Sequence, residues 1–110
     1  MYAGSVRIGA IDYKISTSEQ LSKHHGLDGQ IAYDSAEITV NGGTEPQRQY
    51  AILLHEIIHG ILTAAKAESC FADDDAQEKA IDIMAYGVLG LIRDNPELIQ
   101  EIGEVWQPQR

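Results

Sequence analysis

Between Tyr50 and Ala65 the apolar residues Tyr50, Leu53, Leu54, Ile57, Ile58, Ile61, Leu62 and Ala65 recur at spacings of three and four. That period belongs to one face of an α-helix, and an alternating strand cannot present it. Thr44-Glu45-Pro46-Gln47, just upstream, offers a capping residue, a proline in the first turn and Gln at the third helical position. The pattern predicts an amphipathic helix over 45–67, capped by Thr44.

The rest of the chain is arranged around this helix. Val6 to Ile15 alternates in part and reads as one strand, or as two short ones meeting at Gly9. The polar stretch Ser16 to Leu21 reads as a loop or a short helix. Gln30–Tyr33 and Glu37–Val40 read as an antiparallel hairpin turning through Asp34-Ser35-Ala36, and Asn41-Gly42-Gly43 ends the sheet. Beyond the helix, Asp73, Asp74 and Asp75 favour a second helix N-terminus. Ile81, Met84, Ala85, Val88, Leu89 and Ile92 then form a second apolar stripe, closed by Asn95-Pro96. A short terminal helix fits Pro96 to Ile102. The expected fold is α+β: a small antiparallel N-terminal sheet followed by two long helices, in a single domain of 110 residues.

Composition narrows the function. The formal charge is −9 with only eight Lys and Arg, which opposes nucleic acid and anionic membrane as partners. The longest apolar run, Ala51 to Leu54, is far too short to span a bilayer, and no basic-then-apolar leader opens the chain. The single cysteine, Cys70, cannot form an internal disulfide and matches no C-x-x-C ligand spacing. These features fit a cytoplasmic protein.

The chemistry is concentrated in His55-Glu56-Ile57-Ile58-His59. Two histidines four apart on a helix project from the same face and can share one tetrahedral zinc ion. Glu56 is placed beside them to accept a proton from a water that zinc makes nucleophilic near pH 7. Both histidines border the apolar stripe, where imidazoles need partners. The bland reading is two solvated histidines and a helix-favouring glutamate.

A catalytic zinc takes three protein ligands and keeps one position open. The downstream histidine of the longer H-E-x-x-H-x-x-G-x-x-H pattern is missing, and Glu68 follows His59 too closely. Glu78 is the better third ligand. It lies in line with Asp82, Ala85 and Leu89 on the second helix, so two carboxylates continue an apolar stripe. The competing reading has Glu78 close a capping box with Asp75. Asp82 is expected to orient a ligand histidine through its free ring nitrogen, and is also the reserve third ligand.

These segments resemble the ImmA/IrrE-like metallopeptidases, whose pattern is H-E-x-x-H followed by E-x-x-A-N-x-F-A. The matching residues are His55–His59 and Glu78 to Ala85, with Ile81, Asp82 and Met84 standing where the pattern has Ala, Asn and Phe. Gly29-Gln30-Ile31-Ala32-Tyr33 and Leu91 to Leu98 resemble the flanking segments of short stand-alone versions found among phage and prophage proteins. The resemblance spans roughly 6–99. It implies gluzincin-type ligation of zinc by His55, His59 and Glu78, with Glu56 as general base. It also implies a protein or peptide substrate, such as a regulatory protein of a phage or mobile element.

Two other readings compete. One is a zinc-stabilised binding module without hydrolytic activity. The other is a metal-free protein that dimerises through the Ile-rich helix. In the hydrolase reading an edge at 30–33 or 37–40 pairs with an extended substrate, and Tyr33, Tyr50 or Tyr86 supplies a phenol to the intermediate. His24 and His25 read as solvated loop residues, and Trp106 as a surface-packing anchor.

Overall fold

The computed structural model describes residues 1–21 and 28–107, so the His24-His25 pair lies outside the described residues. Strand β1 (Ser5–Ile8) turns at Gly9 into β2 (Ile11–Ser18), and β3 (Gly29–Ala32) turns into β4 (Glu37–Asn41). Gly9 takes a positive φ of 62°, which a glycine adopts without steric penalty. It therefore divides two strands rather than weakening one. Ser16 to Ser18 belong to β2 rather than to a loop or helix.

The sheet order is β1-β2-β4-β3. Strands β3 and β4 form the expected antiparallel hairpin, and β1 and β2 also pair antiparallel, but β2 and β4 pair in parallel, with Ile15 opposite Ile38 and Thr17 opposite Val40. The expected antiparallel sheet is therefore mixed. A single hairpin is legible from local pattern, whereas the pairing of β2 with β4 depends on contacts distant in sequence. It also makes β4 an inner strand and β3 an edge, so Glu37–Val40 offers no free edge to a substrate.

Helix α1 spans Pro46–Ala64, α2 Asp74–Asp94 and α3 Pro96–Val105, with a single 3-10 turn at Glu68–Cys70 between the first two. The α1 cap is Glu45, not Thr44: its carboxylate accepts from the N–H groups of Gln47 and Arg48 at 2.8 and 3.0 Å. A carboxylate here satisfies two orphan donors and favours the positive end of the helix. The helix ends three residues earlier than expected. Lys66 adopts φ 56°, Ala67 N–H reaches Leu62 O at 2.9 Å, and Lys66 N–H reaches Thr63 O at 3.1 Å. This is a Schellman closure with lysine where glycine is usual.

The main core lies between the sheet and α1. Ile8, Tyr13, Ile15, Ile38, Val40 and Leu53 are buried together there. Gly60 makes the approach of α1 to the sheet possible, because an added Cβ would lie 2.9 Å from Ile8 Cδ1 and 3.0 Å from Ile31 Cδ1. Helix α2 joins through a smaller cluster of Ile58, Ile81 and Ala85, flanked by Leu54 and Leu62. Of its predicted stripe, Met84, Val88 and Ile92 are exposed. Trp106 is 83% exposed and anchors nothing. Among the described residues no helix is long and apolar enough to cross a membrane.

Candidate metal centre

His55, Glu56 and His59 all lie on α1, where the four-residue spacing stacks the two imidazoles with ring centroids 4.9 Å apart. Glu78 comes from the second turn of α2 and meets both. Its Oε2 lies 2.9 Å from His55 Nε2, and its Oε1 lies 2.5 Å from His59 Nε2. His55, His59 and Glu78 thus each offer one ligand atom within 4.8 Å of the others.

Asp82, one turn beyond Glu78, places Oδ1 2.7 Å from His55 Nδ1. This contact fixes the chemistry of the ring. A neutral imidazole carries one N–H, and donation of Nδ1–H to Asp82 leaves Nε2 as a lone pair. That lone pair then faces a Glu78 carboxylate oxygen, and two acceptors in contact need a positive centre between them, either a proton or a metal ion. The donor set fits a divalent ion such as zinc: two imidazole nitrogens and a carboxylate, one imidazole being held from behind by a second carboxylate. Ligand atoms around a tetrahedral zinc stand about 3.3 Å apart, given bonds of about 2.0–2.1 Å. A shift of Glu78 by a fraction of an ångström opens that room.

Glu78 does not cap α2. Asp73 does, accepting from Ala76 N–H at 2.8 Å, so the capping-box reading with Asp75 falls away. The sequence argument that Glu78 and Asp82 continue a buried stripe also needs correction. Their side chains are 51% and 64% exposed, and they sit at the mouth of a cleft. The histidines are the covered partners, at 16% and 21%.

Glu56 is the buried charged residue of the site, 9% exposed. Burial pushes its carboxyl above the ordinary glutamate value; His55 and His59 oppose that rise and Glu78 adds to it. Its wall is Gly29, the first residue of edge strand β3. A Cβ at position 29 would come within 2.5 Å of Ile52 Cγ2 and 3.2 Å of Glu56 Oε2. Gly29 is thus a residue against the candidate site that sequence reasoning took only as part of a segment resembling the family's flank. No local pattern reveals a close approach made by tertiary packing.

These groups line an open cleft of about 450 Å³ that also includes Asp28, Arg48 and Tyr86. Of the three tyrosines considered, Tyr86 alone lines it. Tyr33 shares a hydrogen bond with Thr63 Oγ1 at 3.0 Å, and Tyr50 accepts from Tyr2 N–H at 2.9 Å. Cys70 is exposed in the 3-10 turn, apart from the cluster. No family model, curated protein or solved structure matches the chain.

Proposed function

We propose that the chain is a zinc-dependent metallopeptidase of the gluzincin type, of the ImmA/IrrE-like kind that its motifs resemble, acting in the cytoplasm on a protein or peptide. One observation carries this reading. The Nε2 atoms of His55 and His59 converge on the Glu78 carboxylate, with buried Glu56 on the same helix face.

His55, His59 and Glu78 would hold the ion, and Asp82 holds His55 in the tautomer that leaves Nε2 free to ligate. Zinc in such a site supplies Lewis acidity that makes water a nucleophile near neutral pH. Glu56 takes the proton of the attacking water and passes it to the departing amine. Its burial supports this role, because a carboxylate whose pKa is raised is a stronger base toward the water's proton than an ordinary glutamate. The Tyr86 phenol is the cleft group available to donate to the developing oxyanion. The outer edge of β3, which pairs with no further strand among the described residues and has Gly29 against Glu56, is where an extended substrate adds as a further strand. A regulatory protein of a phage or mobile element fits this reading as substrate.

The test is hydrolysis of a peptide pool by the zinc-loaded protein, read by mass spectrometry, beside Glu56→Gln. The variant should keep its zinc and lose on the order of 10²-fold or more of the activity. Equal activity would remove Glu56 from its role.

A second reading, a zinc-stabilised binding module, is favoured by the small apolar contact between α1 and α2, in which Ile58, Ile81 and Ala85 are the buried residues. A metal bridging His55, His59 and Glu78 would tie the two helices together. Chelation that melts α2, with no peptide cut by the loaded protein, would select this reading.

A further inference from the structure

Arg48 is the only Lys or Arg among the described residues that line the cleft. It occupies the same face of α1 as Ile52, His55 and His59, being four, seven and eleven residues before them. The acidic groups around it divide into two sets. Glu56, Glu78 and Asp82 belong to the metal centre and its hydrogen bonds. Asp28 is what remains, and its hold on Arg48 is a single contact of 3.5 Å between side chains that are 54% and 55% exposed. A guanidinium has five N–H donors in a rigid fork suited to a carboxylate. Among the described residues the rest of that capacity has no side-chain partner.

We infer that Arg48 selects a substrate carboxylate, two or three residues to the C-terminal side of the bond that is cut. This rests on the peptidase reading and adds a substrate class to it. The spacing follows from the helix. Seven residues separate Arg48 from His55, about 10.5 Å along the axis, or about three residues of extended peptide. The direction follows from β3. Gly29 lies against Ile52 and Glu56, and Ile31 lies against Gly60, so β3 runs in the same sense as α1. A substrate pairing antiparallel to β3 therefore runs from the Gly60 end toward Arg48, bringing its C-terminal part to the guanidinium. The carboxylate is that of an Asp or Glu side chain or the peptide's own C-terminus. Ile52 lies between, as an apolar floor for the intervening residue.

The test uses zinc-loaded Glu56→Gln protein as a trap and a randomised heptapeptide pool, made once with free C-termini and once with amidated ones. Retained peptides are sequenced by mass spectrometry, and the same pools are offered to the unmodified enzyme for cleavage. Acidic residues should be enriched among retained peptides about fivefold to tenfold at one position, and Arg48→Gln in the trap should abolish this. Arg48→Gln should leave zinc content and the melting temperature unchanged. Acidic enrichment in both pools assigns a side chain; retention of the free pool that amidation removes, with no acidic position favoured, assigns the terminus. Peptides cut two or three residues before the acidic group support the whole proposal. Cleavage with neither acidic preference nor dependence on a free C-terminus, or a preference unaltered in Arg48→Gln, overturns the role of Arg48 and leaves the peptidase reading standing. Acidic retention without cleavage by the unmodified enzyme overturns that reading while keeping Arg48 as an anchor. No retention and no cleavage overturn both.

Discussion

The two halves of the molecule hold together differently. Sheet and α1 bury six large residues in one cluster, including Ile38 and Val40 at 0% exposure. Helix α2 rests on α1 through Ile58, Ile81 and Ala85, and α3 contributes no buried residue at all. Yet the candidate centre takes two ligands from the first half and one from the second. The apolar contact is thinnest where the polar contacts of His55 and His59 with Glu78 and Asp82 are densest. The difference teaches that a bridging ion would have most to contribute to the second half.

The comparison is broken most directly by core truncation. Ile38→Ala should cost about 4 kcal/mol and Ile81→Ala about 2 kcal/mol, since the smaller cluster has fewer neighbours to lose and more freedom to collapse. Urea denaturation of the metal-free protein measures both. Equal costs would mean that α2 is as firmly seated as the sheet. Asp82→Asn comes next. It should weaken zinc binding about tenfold, seen by competition with a chromogenic chelator, and leave the metal-free denaturation curve in place. Unchanged zinc affinity would reduce Asp82 to a surface charge. The smallest effect belongs to the joint between the halves. Lys66→Gly relieves a left-handed lysine and should stabilise by about 0.5 kcal/mol, the steric gain being partly offset by the entropy of glycine. A loss of stability there would show that the lysine side chain holds the turn.

The part of the site on α1 was legible because it is local. A helix period and a four-residue spacing place His55, Glu56 and His59 without reference to the rest of the chain. Glu78 was reached by exclusion and by its line on α2, and the structure brings its carboxylate to both imidazoles, although the burial argument for it was mistaken. Its side chain is covered on one side by the histidines and open on the other. The helices and the β3–β4 hairpin were also readable. The parallel pairing of β2 with β4 was not, because hydrophobic alternation fixes which face is buried but not which strand is the neighbour. Gly29, Tyr86 and Arg48 share that difficulty, since nothing around them in the sequence records what packs across the cleft. The end of α1 was missed for a different reason. Lys66 occupies a conformation that usually announces itself as glycine.

Parallel strands cannot be joined by a tight turn, so the chain must travel from Ser18 to Glu37 before β4 can pair with β2. On that journey it lays down Asp28 and Gly29, which form one rim of the cleft, while all the candidate ligands lie later, between His55 and Asp82. One part of the cleft rim is thus written on a stretch of chain separate from the candidate ligands. Variation in the crossover can re-cut that rim while leaving the candidate ligands in place.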